Sequence, residues 1–318
     1  MSQKVMMFLA AACLALPAGC KTKPSGQPAR PQVVVSLYWI QDVVRELAGD
    51  DLAVDCLVTP GAISHNVEFK PAQAEALARA NLAIVVGLGV DEYANRGIQA
   101  AGKGDLKVLT LSEDPKFKER LRQLYADNPP PAEADEDEDD HGHAHGAGAI
   151  NPHVWLDPVF MQDFVAAVAD ALVELDKAHR DDYLRRRDAY IQKLKDLDRD
   201  YRAELAPFAG KTIVTYHAAY SYMARRYGLV QVSLHNATGG GLDSQRLEGV
   251  LAVLRQNKTR AIFVEPQYPR ERLADLSKQY GVRIGVLDSE GNPNTPGYNT
   301  YLSMMRSNLK NLADNLKD

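Results

Sequence analysis

Residues 180–205 read RDDYLRRRDAYIQKLKDLDRDYRAEL, inside a longer span from Pro158 to Pro207 that contains no intervening proline or glycine. Leu184, Tyr190, Ile191, Leu194, Leu197, Tyr201 and Leu205 form one apolar face at helical spacing. Asp181, Arg185, Arg186, Lys193 and Lys195 occupy the other. A helix from Arg180 to Leu205 is roughly 38 Å long at 1.5 Å per residue, enough to run along two lobes. One rigid strut bends less than two or three extended crossover strands would. Small rocking between lobes is expected, not a wide hinge.

On either side of the strut the pattern alternates. Before it, strands are expected at Val33–Leu37, Ala53–Val58, Leu82–Gly87 and Leu106–Leu109. Helices fall between them at Tyr38–Ala48, Pro71–Ala80 and Asp91–Ala101. After it, strands are expected at Thr212–Tyr216, Leu229–Leu234, Ala261–Val264 and Val282–Leu287. The helices there are Tyr220–Tyr227, Ser244–Asn257, Arg270–Tyr280 and Tyr298–Leu316. Strand–helix alternation implies βαβ units and a mainly parallel sheet. The fold class is therefore α/β: two similar lobes with four-stranded, mainly parallel sheets, residues 33–177 and 207–318, joined by a linking helix at 178–206.

The two ends of the first lobe carry different chemistry. Lys4 precedes an apolar stretch from Val5 to Gly19, too short for a membrane span and of signal-peptide length. Residues 1–19 are read as a signal peptide and 20–32 as a flexible tether. The ending Leu16-Pro17-Ala18-Gly19-Cys20 resembles a lipobox, with Pro17 where leucine is usual, so Cys20 is expected to carry lipid. Cys13 leaves with the signal peptide, and Cys56 is then a lone small hydrophobe in a strand. Any metal site must use histidine and carboxylate. Residues 128–148 break the pattern: seven carboxylates within Glu133–Asp140, then His141, His143 and His145 among Gly and Ala, read as a solvated loop. The overall net charge of −5 argues against nucleic acid.

Of eight histidines, three lie in that acidic run, and His179 at the entrance of the long helix reads as a surface residue. His235 follows a strand. His65, in the loop Thr59-Pro60-Gly61-Ala62-Ile63-Ser64-His65, His217 and Asp288 also lie beyond strand ends, where open α/β sheets gather ligands. His153 sits in the tight turn Asn151-Pro152-His153-Val154-Trp155-Leu156-Asp157-Pro158. A single strand-end histidine is more often a hydrogen-bonded turn residue. Three imidazoles and a carboxylate nevertheless make a complete tetrahedral zinc set.

Several elements together carry a family resemblance. They are Pro60-Gly61 before His65 with Pro71 after it, Gly87-Leu88-Gly89, the turn from Asn151 to Pro158, Tyr216-His217-Ala218-Ala219-Tyr220-Ser221-Tyr222, Phe263-Val264-Glu265-Pro266-Gln267 and Val286-Leu287-Asp288. From Val33 to the C-terminus the chain resembles the zinc/manganese-type metal substrate-binding proteins of ABC importers, in their ZnuA-like zinc branch. The resemblance implies His65, His153, His217 and Asp288 as metal ligands between the lobes, with Zn²⁺ as cargo. His217 stands where manganese-selective relatives carry a carboxylate. It also implies an extracytoplasmic, lipid-anchored monomer that delivers its ion to a membrane permease, with no catalytic residues. His141, His143 and His145 would form an auxiliary low-affinity loop. Val67 and Phe69, Gly239-Gly240-Gly241-Leu242-Asp243 and Ser289-Glu290-Gly291 depart from the family pattern and touch loop shape. The rival readings are a manganese or iron binder of the same fold, an adhesin-type zinc lipoprotein, and a zinc hydrolase with Glu68 as base. Asp288 as a fourth protein ligand would close the open position that a hydrolase needs.

Overall fold

The computed structural model describes residues 30–59, 67, 69–127, 150–234, 244–267 and 277–317. The first half contains β1 (Gln32–Val35), α1 (Tyr38–Ala48), β2 (Ala53–Cys56), α2 (Pro71–Arg79), β3 (Leu82–Val85), α3 (Glu92–Ala101), β4 (Lys107–Thr110) and α4 (Pro115–Asp127). Two helices follow, α5 (Pro158–Leu175) and α6 (Arg180–Leu205). The second half contains β5 (Thr212–Thr215), α7 (Ser221–Arg226), β6 (Val230–Ser233), α8 (Ser244–Gln256), β7 (Ala261–Val264), β8 (Arg283–Val286) and α9 (Tyr301–Leu316).

Both sheets are parallel and have the same order, β2-β1-β3-β4 and β6-β5-β7-β8. Central strands β3 and β7 are buried along their whole length, as Leu-Ala-Ile-Val and Ala-Ile-Phe-Val. Continuous apolar runs of this kind are what a sheet covered on both faces requires. In each sheet the strand order reverses between the first and third strands, which opens a crevice at their carboxyl ends. In the first sheet β3 runs into a tight turn. Gly87 and Gly89 have φ of 85° and 84°, and Leu88 also has a positive φ, 55°. A Cβ on Gly87 would stand 2.3 Å from Ser112 Oγ. The buried Asp91 carboxylate holds the turn by accepting the N–H groups of Val86 at 2.5 Å and Gly87 at 3.0 Å.

The long helix α6 has the expected bounds, but its buried seam is displaced. Tyr183, Tyr190, Leu194, Leu197, Tyr201 and Leu205 are buried, while Leu184 and Ile191 are half-buried. It is tied to both halves. Arg186 donates to the carbonyls of Leu47 and Ala48 and to Asp51 beside α1. Tyr201 donates to the Met305 carbonyl on α9 at 2.6 Å. One hydrophobic cluster includes residues of both sheets together with α1, α5, α6 and α9. At its centre Trp39 stacks on Trp155 at 5.4 Å and on Phe164 at 6.3 Å. Helix α4, for which the alternation of strands and helices gave no element, packs Phe117 against Phe160 and Phe164. Among the described residues no helix is long and apolar enough to cross a membrane.

Candidate metal site

The turn before α5 folds through its own side chains. Asn151 Oδ1 accepts the His153 N–H at 3.0 Å, and a short 3-10 turn covers Val154–Leu156. Asp157 then caps α5 by accepting the Val159 N–H at 2.8 Å, with Pro158 at the first helical position. This turn is bonded to the second half of the molecule. Asn151 Nδ2 donates to the Ala218 carbonyl at 2.8 Å, and Tyr222 donates to the Asn151 carbonyl at 2.7 Å. Trp155 Nε1 donates to the Ser289 carbonyl at 2.7 Å, and Tyr301 donates to the Trp155 carbonyl at 2.7 Å. The buried Asp157 carboxylate pairs with Arg226 of α7. His153 therefore precedes the long helix in sequence, yet its turn is held against the loops that follow β5 and β8.

His217 lies two residues beyond β5, at the start of a 3-10 turn over Ala218–Tyr220. Its carbonyl accepts from Thr215 Oγ1 at 2.7 Å and from Gln231 Nε2 at 3.1 Å. The His153 and His217 rings meet edge to face, with centroids 4.6 Å apart and planes at 82°. In each ring Nδ1 faces an oxygen: Asn151 Oδ1 at 2.8 Å for His153, and Glu265 Oε1 at 2.9 Å for His217. An ionised carboxylate and an amide oxygen accept, so a hydrogen on each Nδ1 satisfies both contacts, and Nε2 is then the ring atom able to ligate a metal. Two imidazoles able to ligate through Nε2 suit a soft divalent ion.

Asp288, two residues beyond β8, is buried. Its Oδ1 accepts the N–H groups of Glu290 at 2.9 Å and Gly291 at 3.1 Å, and Asn308 brackets its backbone on both sides. Burial pushes its carboxyl above the usual range, and the nearby Glu265 charge adds to this. The two backbone N–H groups and the Gln267 side chain act in the opposite sense. A bound cation would favour the ionised form in the same way.

The structure brings His153 and His217 together and places Asp288 near Glu265 and Gln267. Among the described residues no group of three or more His, Cys, Asp or Glu is arranged to hold a metal ion. His65, the remaining ligand position, lies outside the described residues, as do His235, Glu68, Cys20, His141, His143 and His145. His179 is a surface residue, its Nδ1 2.6 Å from Asp176. Cys56 keeps its proton, because burial pushes its thiol up to about 12. Asn151 and Glu265 lie within the family-like motifs, but the sequence alone assigns neither a role. Asn151 carried a usable signal, since an Asn two residues before a histidine in a turn is placed to bond its backbone. Glu265 carried only its position after β7, across the crevice from β5.

The family described as Zinc-uptake complex component A periplasmic, ZnuA, matches residues 33–315. The high-affinity zinc uptake system protein ZnuA of Bacillus subtilis is 28% identical over 324 residues, covering 98% of this chain and 97% of that protein. The iron-binding protein YfeA of Yersinia pestis is 26% identical over 300 residues, covering 92% and 88%. The structure of the periplasmic zinc-binding protein TroA of Treponema pallidum superposes with a TM-score of 0.73 at 24% identity, covering 91% of this chain and 100% of that one. The chain thus belongs to the family of periplasmic zinc-uptake components, extracytoplasmic metal-binding proteins of ABC importers and not enzymes.

Proposed function

We propose that this protein captures Zn²⁺ between its lobes through His65, His153, His217 and Asp288 and delivers it to the importer's membrane permease. The observation that carries this reading is the pairing of His153 with His217. Segments 64 positions apart bring two imidazole rings to 4.6 Å, each with Nδ1 committed to an oxygen. Imidazole donors favour zinc over manganese, which takes oxygen. Asp288 supplies the carboxylate and His65 completes a closed tetrahedral set, leaving no open position for a hydrolytic water. The chain is read as a monomer held to the membrane by lipid on Cys20. His141, His143 and His145 are assigned a weaker, auxiliary role on the composition of their acidic run.

Chelator-competition titration tests the assignment. His217→Ala should weaken zinc binding by more than the 10–100-fold typical of losing a ligand's outer partner. The metal-free variant should still fold cooperatively, since the ligand lies outside the hydrophobic core. Wild-type affinity in His217→Ala would remove His217 from the site. Titration of manganese and ferrous iron against zinc separates the zinc reading from that suggested by the iron-binding relative.

A further inference from the structure

Glu265 stands at the carboxyl end of β7, across the crevice from His217 at the end of β5, and is 3% exposed. Its Oε1 lies 2.9 Å from His217 Nδ1. Its Oε2 is buried with no hydrogen-bond partner. A carboxylate so enclosed is costly unless something in the crevice balances it. No arginine or lysine is paired with it among the described residues. Its field also reaches Asp288, on which it acts as a like charge.

We propose that Glu265 is the positioning residue of the metal site: it locks His217 in the Nδ1–H tautomer that aims Nε2 at the ion and supplies the second negative charge that balances it. The proposal rests on His217 being a ligand. Three neutral imidazoles and the Asp288 carboxylate leave a divalent ion with one uncompensated positive charge in a buried crevice. The Glu265 charge, relayed through a hydrogen bond to a ligating imidazole, brings the site to neutrality. A carboxylate behind a ligating histidine also raises the basicity of the ring and so strengthens its bond to the metal. The two liganding histidines are then unequal. His153 is oriented by the neutral Asn151 amide and His217 by a charged group, so His217 is the stronger donor.

Two readouts test this. Long-range ¹H–¹⁵N correlation on histidine-labelled, metal-free protein should find His217 in the Nδ1–H form, and in Glu265→Ala it should move toward the Nε2–H form that free imidazole prefers. Zinc affinity by chelator competition should fall 10–100-fold in Glu265→Ala. Glu265→Gln keeps an acceptor for Nδ1–H but loses the charge, so it should keep the tautomer and fall between the two in affinity. It also guards against a misfolded alanine variant. In a His217→Ala background, Glu265→Ala should have little further effect. An Nε2–H tautomer in the wild type would overturn the proposal. So would wild-type zinc affinity in Glu265→Ala beside a crippled His217→Ala, or an equal loss from Glu265→Ala in the two backgrounds. Wild-type affinity in His217→Ala would overturn the ligand assignment and this role together.

Discussion

Asp42 lies on α1 under the start of α9, where its Oδ2 accepts the Tyr301 N–H at 2.8 Å. Burial pushes its carboxyl up to about 6, and the Glu46 charge adds to this. The Tyr301 N–H, Arg45 and Lys193 pull it back. Because the folded value lies above the unfolded one, the protonated form favours the fold. Its contribution is complete below about pH 4 and is lost as pH rises through about 6. Asp42→Asn keeps an acceptor for the Tyr301 N–H and has no charge to desolvate. Its stability relative to the wild type should therefore improve by about 1–3 kcal/mol between pH 4 and pH 7.5. Urea unfolding of the metal-free proteins at the two pH values checks this; a pH-independent difference would remove Asp42 as the cause. The positions of His153, His217 and Asp288, in a turn or just beyond strand ends, were legible in sequence, while their assignment as ligands came from the family resemblance. The roles of Glu265 and Asp42 were not legible. Each depends on a contact with a residue 48 and 259 positions away, which only tertiary packing creates.

At the scale of elements, apolar periodicity located most helices and strands within a residue or two. α1 and β7 have the bounds expected from their sequences, because α1 is followed by Gly49 and β7 is a four-residue apolar run. Other strands stop short of the expected ends, as β5 does at Thr215, because apolar residues continue into the turn after the parallel ladder has ended. What sequence could not supply was the attachment of the turn before α5 to the loops of the second sheet. Arg226 is central to that attachment: it pairs with Asp157, and its guanidinium lies 5.5 Å from the Phe160 ring centroid. Arg226→Leu leaves the fully buried Asp157 charge without its cation. It should cost about 3–5 kcal/mol in equilibrium unfolding and, by loosening the His153 turn, weaken zinc binding as well. An unchanged zinc affinity in a destabilised Arg226→Leu protein would mean that the turn does not rely on this pair to place His153.

Over the whole molecule, the repeated strand–helix alternation and the long helix were readable from the chain, while the order of strands within each sheet and the cross-connections that limit its motion were not. Trp39 stacks on Trp155, Trp155 bonds the Ser289 carbonyl, Tyr38 bonds the Asn299 carbonyl at 2.7 Å, and α6 is bonded at both ends. Large closure would have to break several of these at once, so ligand binding is expected to move loops and rock the lobes slightly. Small-angle scattering should find nearly the same radius of gyration with and without zinc. The melting temperature should still rise by mass action, by about 2.7 kcal/mol of added stability at a hundredfold excess of zinc over its Kd. A large zinc-induced contraction would contradict the strut. The central claim, that one zinc ion is held by three imidazoles and one carboxylate, is tested most directly by zinc K-edge absorption spectroscopy on the protein with one equivalent bound. Four light-atom neighbours at about 2.0–2.1 Å, with the multiple scattering of three histidine rings, are expected. A sulfur neighbour, or a six-oxygen shell without imidazole scattering, would contradict it.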